Sequence, residues 1–215
     1  MNFTIDTTIP TLSRLLDLIT RDCWTDMEWD DMEAIADRAN CAFYIGASKG
    51  VFIHADWDFV VKIPYYGEGA SHDYCEDEVA AYEEICAKYP LCAPLFVPAI
   101  RLGVFGEIPV YAQKRVNHTL CELRDVEPKY MDELYNKATD RRNNDDDFDA
   151  ACVDASHARL RCEFAEMIVE TFGAVVLSAL VRWIIDTKQN DLHENNVGIT
   201  ANRLPAIFDF SGWYD

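Results

Sequence analysis

The chain has 215 residues, half of them apolar, and 19 basic against 38 acidic residues give it a formal net charge of -19. A chain of this length and apolarity buries a sizeable core as one domain, or as one domain made of two lobes. A net charge of that sign repels phosphate backbones and anionic membrane surfaces unless a basic patch is segregated, so nucleic acid is a poor partner expectation; the charge suits a basic partner surface, and a solubilising acidic coat is the plainer reading of it.

The eight cysteines, Cys23, Cys41, Cys75, Cys86, Cys92, Cys121, Cys152 and Cys162, form no C-x-x-C pair and read as reduced, buried thiols. The N-terminus carries no basic segment followed by an apolar run, which points to a cytoplasmic location. The most apolar stretch, residues 172–185, contains Ser178 and Arg182 and falls short of the about 20 residues a membrane span needs.

Apolar residues recur at helical spacing over residues 11–19 and 27–39, and Thr25 and Asp26 are natural N-caps for the second helix. Strand chemistry follows: Phe43-Tyr44-Ile45, then Val51-Phe52-Ile53, then Phe59 to Ile63, separated by Gly46, Gly50 and the segment Ala55-Asp56-Trp57-Asp58. These predict three antiparallel strands. Residues 74–88, with Val79, Tyr82 and Ile85 at helical offsets and Pro90 as a stop, predict a helix. Two further strands, 95–102 and 108–112, are joined by a turn at 103–107 and complete a five-stranded sheet with one helix.

The polar residues 137–154, with the run Asn143-Asn144-Asp145-Asp146-Asp147, predict a mobile loop. The run lacks the spaced ligands and central glycine of a calcium loop. Residues 158–187 predict a single long helix, apolar nearly all round in its second half and therefore buried on several sides.

The chemistry-bearing residues lie near the end. Asp191-Leu192-His193-Glu194-Asn195-Asn196 is followed by a short strand-turn-strand and then by Asp209-Phe210-Ser211-Gly212. Upstream, Phe59-Val60-Val61-Lys62-Ile63 sets a lysine in the third strand, and Glu78-Val79-Ala80-Ala81-Tyr82 sets a glutamate in the following helix. Each alone reads as a helix cap, a turn or a surface charge. Together, and in this order, they resemble the protein-kinase superfamily, whose catalytic loop has the form D-L-x-x-x-N followed by D-F-G.

The resemblance implies an α+β, protein-kinase-like fold. It divides the chain into an N-terminal helical extension over 1–40, a small-sheet lobe and hinge over 41–116, and a reduced, mainly helical lobe over 117–215. It implies ATP and Mg2+ as cofactors, with Asp191 orienting the attacking hydroxyl and Asn196 and Asp209 holding the metal. Lys62 would contact phosphate and pair with Glu78, Glu76 being the second choice. His193, where protein kinases usually carry lysine, would donate to the γ-phosphate. The loop Gly46-Ala47-Ser48-Lys49-Gly50-Val51 stands for the glycine-rich loop, with Gly46, Ser48 and Gly50 over the phosphates and Val51 against adenine. Gln113 to Val116 stands for the hinge whose backbone bonds adenine.

The chain departs from the family in carrying Ser211 before Gly212, in having Gln189-Asn190 where His-Arg precedes the catalytic Asp, and in ending at Asp215 without an activation segment. In this it resembles the early host-takeover kinases of bacteriophages and certain bacterial effector kinases, which implies a protein substrate or host partner and the host cytoplasm. With the later helices gone, residues 11–39, a second copy or a partner would cover the long helix, and residues 11–39 are the first choice. Two other functions fit the same letters: a kinase-shaped module that inhibits a partner through its acidic surface, and a small-molecule kinase.

Overall fold

A computed structural model describes residues 3–22, 28–46, 48–64 and 72–210. It is α+β, and its residues group into two compact units, one of residues 1–80 and 98–115 and the other of residues 81–97 and 116–215.

The first unit is built on an antiparallel sheet of β1 (Ala42–Ile45), β2 (Lys49–Ile53), β3 (Phe59–Pro64), β4 (Ala99–Phe105) and β5 (Ile108–Lys114), in the order β1-β2-β3-β5-β4. This is the expected five-stranded sheet. Its fourth strand starts later than predicted, because residues 93–95 form a 3-10 turn and Phe96 bridges to Ile207 in the second unit's own fold.

Side chains along a strand alternate between faces, and paired residues share a face. One face carries Phe52, Val61, Ile63, Val110 and Ala112, and α1 (Pro10–Asp22) and α2 (Trp29–Ala39) bury it with Leu12, Leu15, Ile19, Met32 and Ile35. The other face carries Lys49, Val51, Lys62, Tyr111 and Gln113. The N-terminal helices therefore spend their apolar stripes on the sheet, which corrects their expected role as the cover of a long C-terminal helix. The proposed caps Thr25 and Asp26 lie outside the described residues, and α2 begins after Glu28 with no side-chain cap.

Helix α3 (Tyr74–Lys88) has the predicted bounds. Asp73 starts it, its Oδ1 accepting from the backbone N–H groups of Cys75 and Glu76 at 3.0 and 3.1 Å.

The second unit contains α4 (Leu120–Val126), α5 (Pro128–Asn144), α6 (Asp146–Ala155), α7 (Cys162–Phe172) and α8 (Ala174–Thr187) around a core that includes Leu123, Leu134, Phe148, Phe164, Leu180 and Trp183. It also holds a small antiparallel sheet of β6 (His118–Thr119), β7 (Val197–Ile199) and β8 (Pro205–Ile207).

Two expectations fail here. The acidic run is helical: Asp145 caps α6 by accepting from Phe148 N at 3.0 Å, and Asp146, Asp147 and Asp149 sit in the first turn, where the helix dipole favours negative charge. The long helix is two helices, since Gly173 at φ 88° and ψ 163° ends α7 and opens α8 in a conformation open mainly to glycine.

The seven described cysteines are free thiols; Cys41, Cys75, Cys92 and Cys152 are buried as expected, while Cys121 and Cys162 are half-buried and Cys86 is exposed. Among the described residues no helix is long and apolar enough to cross a membrane.

Candidate functional site

In the first unit, Lys62 and Glu78 form a buried ion pair. Lys62 Nζ lies 2.8 Å from Glu78 Oε2 and 3.1 Å from Oε1, and the two residues are only 4% and 1% exposed. The capped start of α3 and the register of β3 bring these two residues together, and the same register sets Val51 opposite Lys62.

Lys49 is the residue that reading the letters missed. Its Nζ lies 3.3 Å from Glu78 Oε1, it is 5% exposed, and it stands two positions before Val51 on the Lys62 face. Glu76, the second-choice partner, instead accepts from the Tyr111 hydroxyl at 2.7 Å and meets Arg101 at 3.3 Å. Tyr111 also donates toward Asp73 Oδ2 at 2.5 Å. Burial first, and then the two carboxylates, push its phenol well above the ordinary tyrosine range.

Two features of the glycine loop are structural. Gly46 N–H closes the turn on Lys49 C=O at 2.8 Å, and Ser48 is half-buried, while Ala47 lies outside the described residues. A Cβ on Gly50 would stand 2.7 Å from the Phe43 ring and 2.8 Å from Trp29, so glycine here admits these aromatics on the helix-covered face.

Gln113 is 2% exposed, and its Nε2 is the one buried side-chain polar atom among the described residues without a hydrogen-bond partner. Lys114 and Arg115 bond back to Pro98 and Asp58 by their backbone N–H groups, and Val116, half-buried, opens the second unit's segment.

In the second unit, the loop after α8 and the segment after β8 are tied side by side. Asn196 Nδ2 donates to Asp191 C=O at 2.9 Å and lies 3.4 Å from Asp191 Oδ2. Asn196 C=O accepts from Phe208 N at 3.0 Å, one step beyond the Val197–Ile207 pair of the β7–β8 hairpin, and Asp209 is the next residue along the chain.

Gln189 fastens the start of the loop: Oε1 accepts from the N–H groups of Asn190 and Asp191 at 2.9 and 3.1 Å, and Nε2 donates to Phe210 C=O at 2.9 Å. Buried at 5% exposure, it does structural work at the position where the sequence departs from His-Arg. Phe210 is fully buried, edge-on to Phe96, which in turn meets Trp183.

Asp209 has φ 54°, a left-handed conformation that Asp tolerates better than most residues but that still costs energy. The anchors on either side, Phe208 N–H and the Phe210 ring, hold it there.

His193 Nε2 lies 3.5 Å from Asp191 Oδ1, and its Nδ1 accepts from Asn195 N at 3.2 Å. Glu194 is taken by Arg124 at 2.8 Å, which fixes the far side of the loop. Gly198 has a steric reason, since a Cβ there would stand 2.1 Å from His118 C=O on the neighbouring strand.

A magnesium ion asks for oxygen ligands and usually takes only one or two from protein, the rest being water and phosphate. Asn196 and Asp209 carry side-chain oxygens of the kind such an ion takes. Hydrogen bonding turns the Asn196 amide nitrogen toward Asp191 and leaves Oδ1 as the oxygen a cation can use. Among the described residues no group of three or more His, Cys, Asp or Glu side chains is arranged to hold a metal by itself.

Comparison with protein-family models, with curated proteins and with solved structures finds no match to the chain.

Proposed function

We propose that the protein is an ATP- and magnesium-dependent phosphotransferase of protein-kinase-like architecture that acts on a protein hydroxyl. The observation that carries the reading is the buried Lys62–Glu78 pair at 2.8 Å on the sheet face opposite the one that α1 and α2 cover. It joins two residues sixteen positions apart that the motif order singles out together. The tied loop Asp191–Asn196, together with Asp209, one residue past the Phe208 that bonds Asn196, supplies the second set.

In this reading Lys62 binds phosphate, with Glu78 holding its ammonium in place. Asn196 and Asp209 hold magnesium, which when bound neutralises charge on the phosphates. Asp191 accepts the proton of the attacking hydroxyl. His193, hydrogen-bonded from the Asn195 backbone and close to Asp191, donates toward the transferred group.

The net charge of -19 favours a second reading, a kinase-shaped module that occupies a basic surface of a partner protein without transferring phosphate. Radiolabelled ATP with magnesium separates the two. Wild type, Asp191→Ala and Asp209→Ala are compared on cell-lysate proteins and on the protein itself. Loss of label in both variants supports the enzyme, by a factor of about 100 or more for Asp191→Ala, in line with the worth of a positioned acid or base. Equal label in all three removes it, and an inert wild type that MgATP nevertheless stabilises against heat favours the binding module.

A further inference from the structure

The five-stranded sheet has two edges of unlike character. At one, β4 carries a bulge between Arg101 and Gly103, bears the Arg101 charge and is contacted by α1. Bulges, charges and covering helices are the means by which sheet edges are kept from pairing with other chains. At the other edge, β1 carries neither charge nor proline, and its pairing with β2 is uninterrupted. Tyr44 and Ile45 are 59% and 51% exposed, the first on the face of Lys62 and the second on the face that α2 covers.

The bond from Gly46 N–H to Lys49 C=O sets the alternation of the β1–β2 hairpin. Ala42 and Tyr44 bond inward to β2, so the N–H and C=O groups of Phe43 and Ile45 point to the outer side. Among the described residues these four groups have no backbone partner. An extended segment laid along β1 satisfies them as a sixth strand.

Charge says what kind of segment. Trp29, Glu33 and Asp37 stand four residues apart on α2 and share one flank of it. The Trp29 ring meets Phe43 at 5.7 Å, which turns that flank toward β1, while Arg38 on the other flank pairs with Asp22 of α1. Helix α2 lies against β1 and β2, so Glu33 and Asp37 border the free edge. Both are exposed, and neither has an ion-pair partner among the described residues. A second copy of the chain would bring the same acidic flank and a further charge of -19, and like charge disfavours it.

We propose that the β1 edge docks an extended segment of a partner protein, paired backbone to backbone. The segment carries Lys or Arg at the alternate positions that lie against α2, and apolar residues at those beside Tyr44. Its cationic side chains lay their stems over Ile45 and bring their heads to Glu33 and Asp37. This gives the acidic-surface reading above a place and a partner conformation. It shares with that reading only the partner's charge and needs no nucleotide.

Fluorescence anisotropy of the full chain tests it with a labelled alternating Lys-Val octapeptide. The comparison peptides are alternating Glu-Val and the Lys-Val peptide with two central valines replaced by proline. Ile45→Pro removes an outward N–H and no bond to β2, so the sheet keeps its ladder. Ile45→Lys, which sets a cation on the edge, serves where the proline variant melts early. Glu33→Gln with Asp37→Asn removes the charge and leaves the edge.

The expected result is binding of the Lys-Val peptide alone, weakened about tenfold or more by either Ile45 variant, the worth of one or two backbone hydrogen bonds. The double variant should weaken it about threefold or more and flatten its salt dependence. Equal binding of the proline-interrupted peptide overturns the inference, since charge alone is then being read, and so does an Ile45 variant that binds as wild type. A wild-type dimer broken by Ile45→Pro also overturns it, by naming a second copy as the occupant. Peptide binding in a chain that transfers no phosphate removes the enzyme and leaves the docking edge; transfer without peptide binding does the reverse.

Discussion

Two ammonium groups meet one carboxylate at Glu78, and the three residues are nearly free of solvent. Removing one partner from a buried ion pair leaves the other uncompensated, which costs about 3–5 kcal/mol. Glu78→Ala should therefore destabilise by that amount in urea titration, because both lysines lose the carboxylate at once. Lys62→Met should cost clearly less, since Lys49 still faces Glu78. Equal losses in the two variants would mean that Lys49 does not share the carboxylate. Lys62 and Glu78 were legible because both lie in recognisable motif positions. Lys49 was not: its link to Glu78, 29 positions away, exists only through the β2–β3 register.

Buried thiols add a pH dependence at the same scale. Burial pushes the Cys92 thiol up from 9.0 to about 11, and Cys41 and Cys152 likewise, mainly because the charged thiolate loses its hydration. The unfolded chain releases these protons first. Stability from this source is therefore full below about pH 9 and is lost as pH rises through about 11. For Cys92 alone the loss is roughly 2–3 kcal/mol across that window. Unfolding titrations at pH 8 and pH 10.5 should show a marked fall for wild type and a smaller fall for Cys92→Ala.

At the scale of elements, helix α3 and the sheet were legible, because their apolar and β-branched residues recur at 3.6 and 2 residues and Pro90 closes the helix. The stretch 137–154 was misread by composition. Met131, Leu134 and Ala138 on α5, and Phe148, Cys152 and Ala155 on α6, still mark buried stripes, and the acidic run supplies a cap and a first turn rather than a loop. The ties of Gln189 to Asn190, Asp191 and Phe210 could not be read at all, since they depend on where the chain returns after the β7–β8 hairpin.

Gly173 was passed over inside an apolar run. It breaks that run by conformation alone, as no described atom beyond its own chain neighbours lies within 4 Å of the Cβ it lacks. Gly173→Ala should lower unfolding free energy by about 1–3 kcal/mol, the cost of forcing a side chain into that backbone region. A loss near zero in denaturant titration would show that α7 and α8 can merge without cost.

For the whole molecule, charge is the dominant fact. Surface pairs such as Arg142–Asp149, Lys137–Glu170, Arg182–Asp186 and Arg203–Glu127 each place a cation against an acid at 2.7–2.8 Å, but exposed pairs are worth only about 0–1 kcal/mol. With 38 acidic against 19 basic residues, pairing every cation still leaves 19 acids to repel one another. Salt weakens the pairs and the repulsion together, and the two effects oppose each other in stability. The repulsion reaches further, because its range falls from about 30 Å at 0.01 M to about 8 Å at 0.15 M ionic strength, while an ion pair in contact is screened much less. Raising sodium chloride across that interval should therefore raise the melting temperature, with most of the gain complete by the upper concentration. A melting temperature that falls instead would mean that the surface pairs outweigh the excess of 19 negative charges.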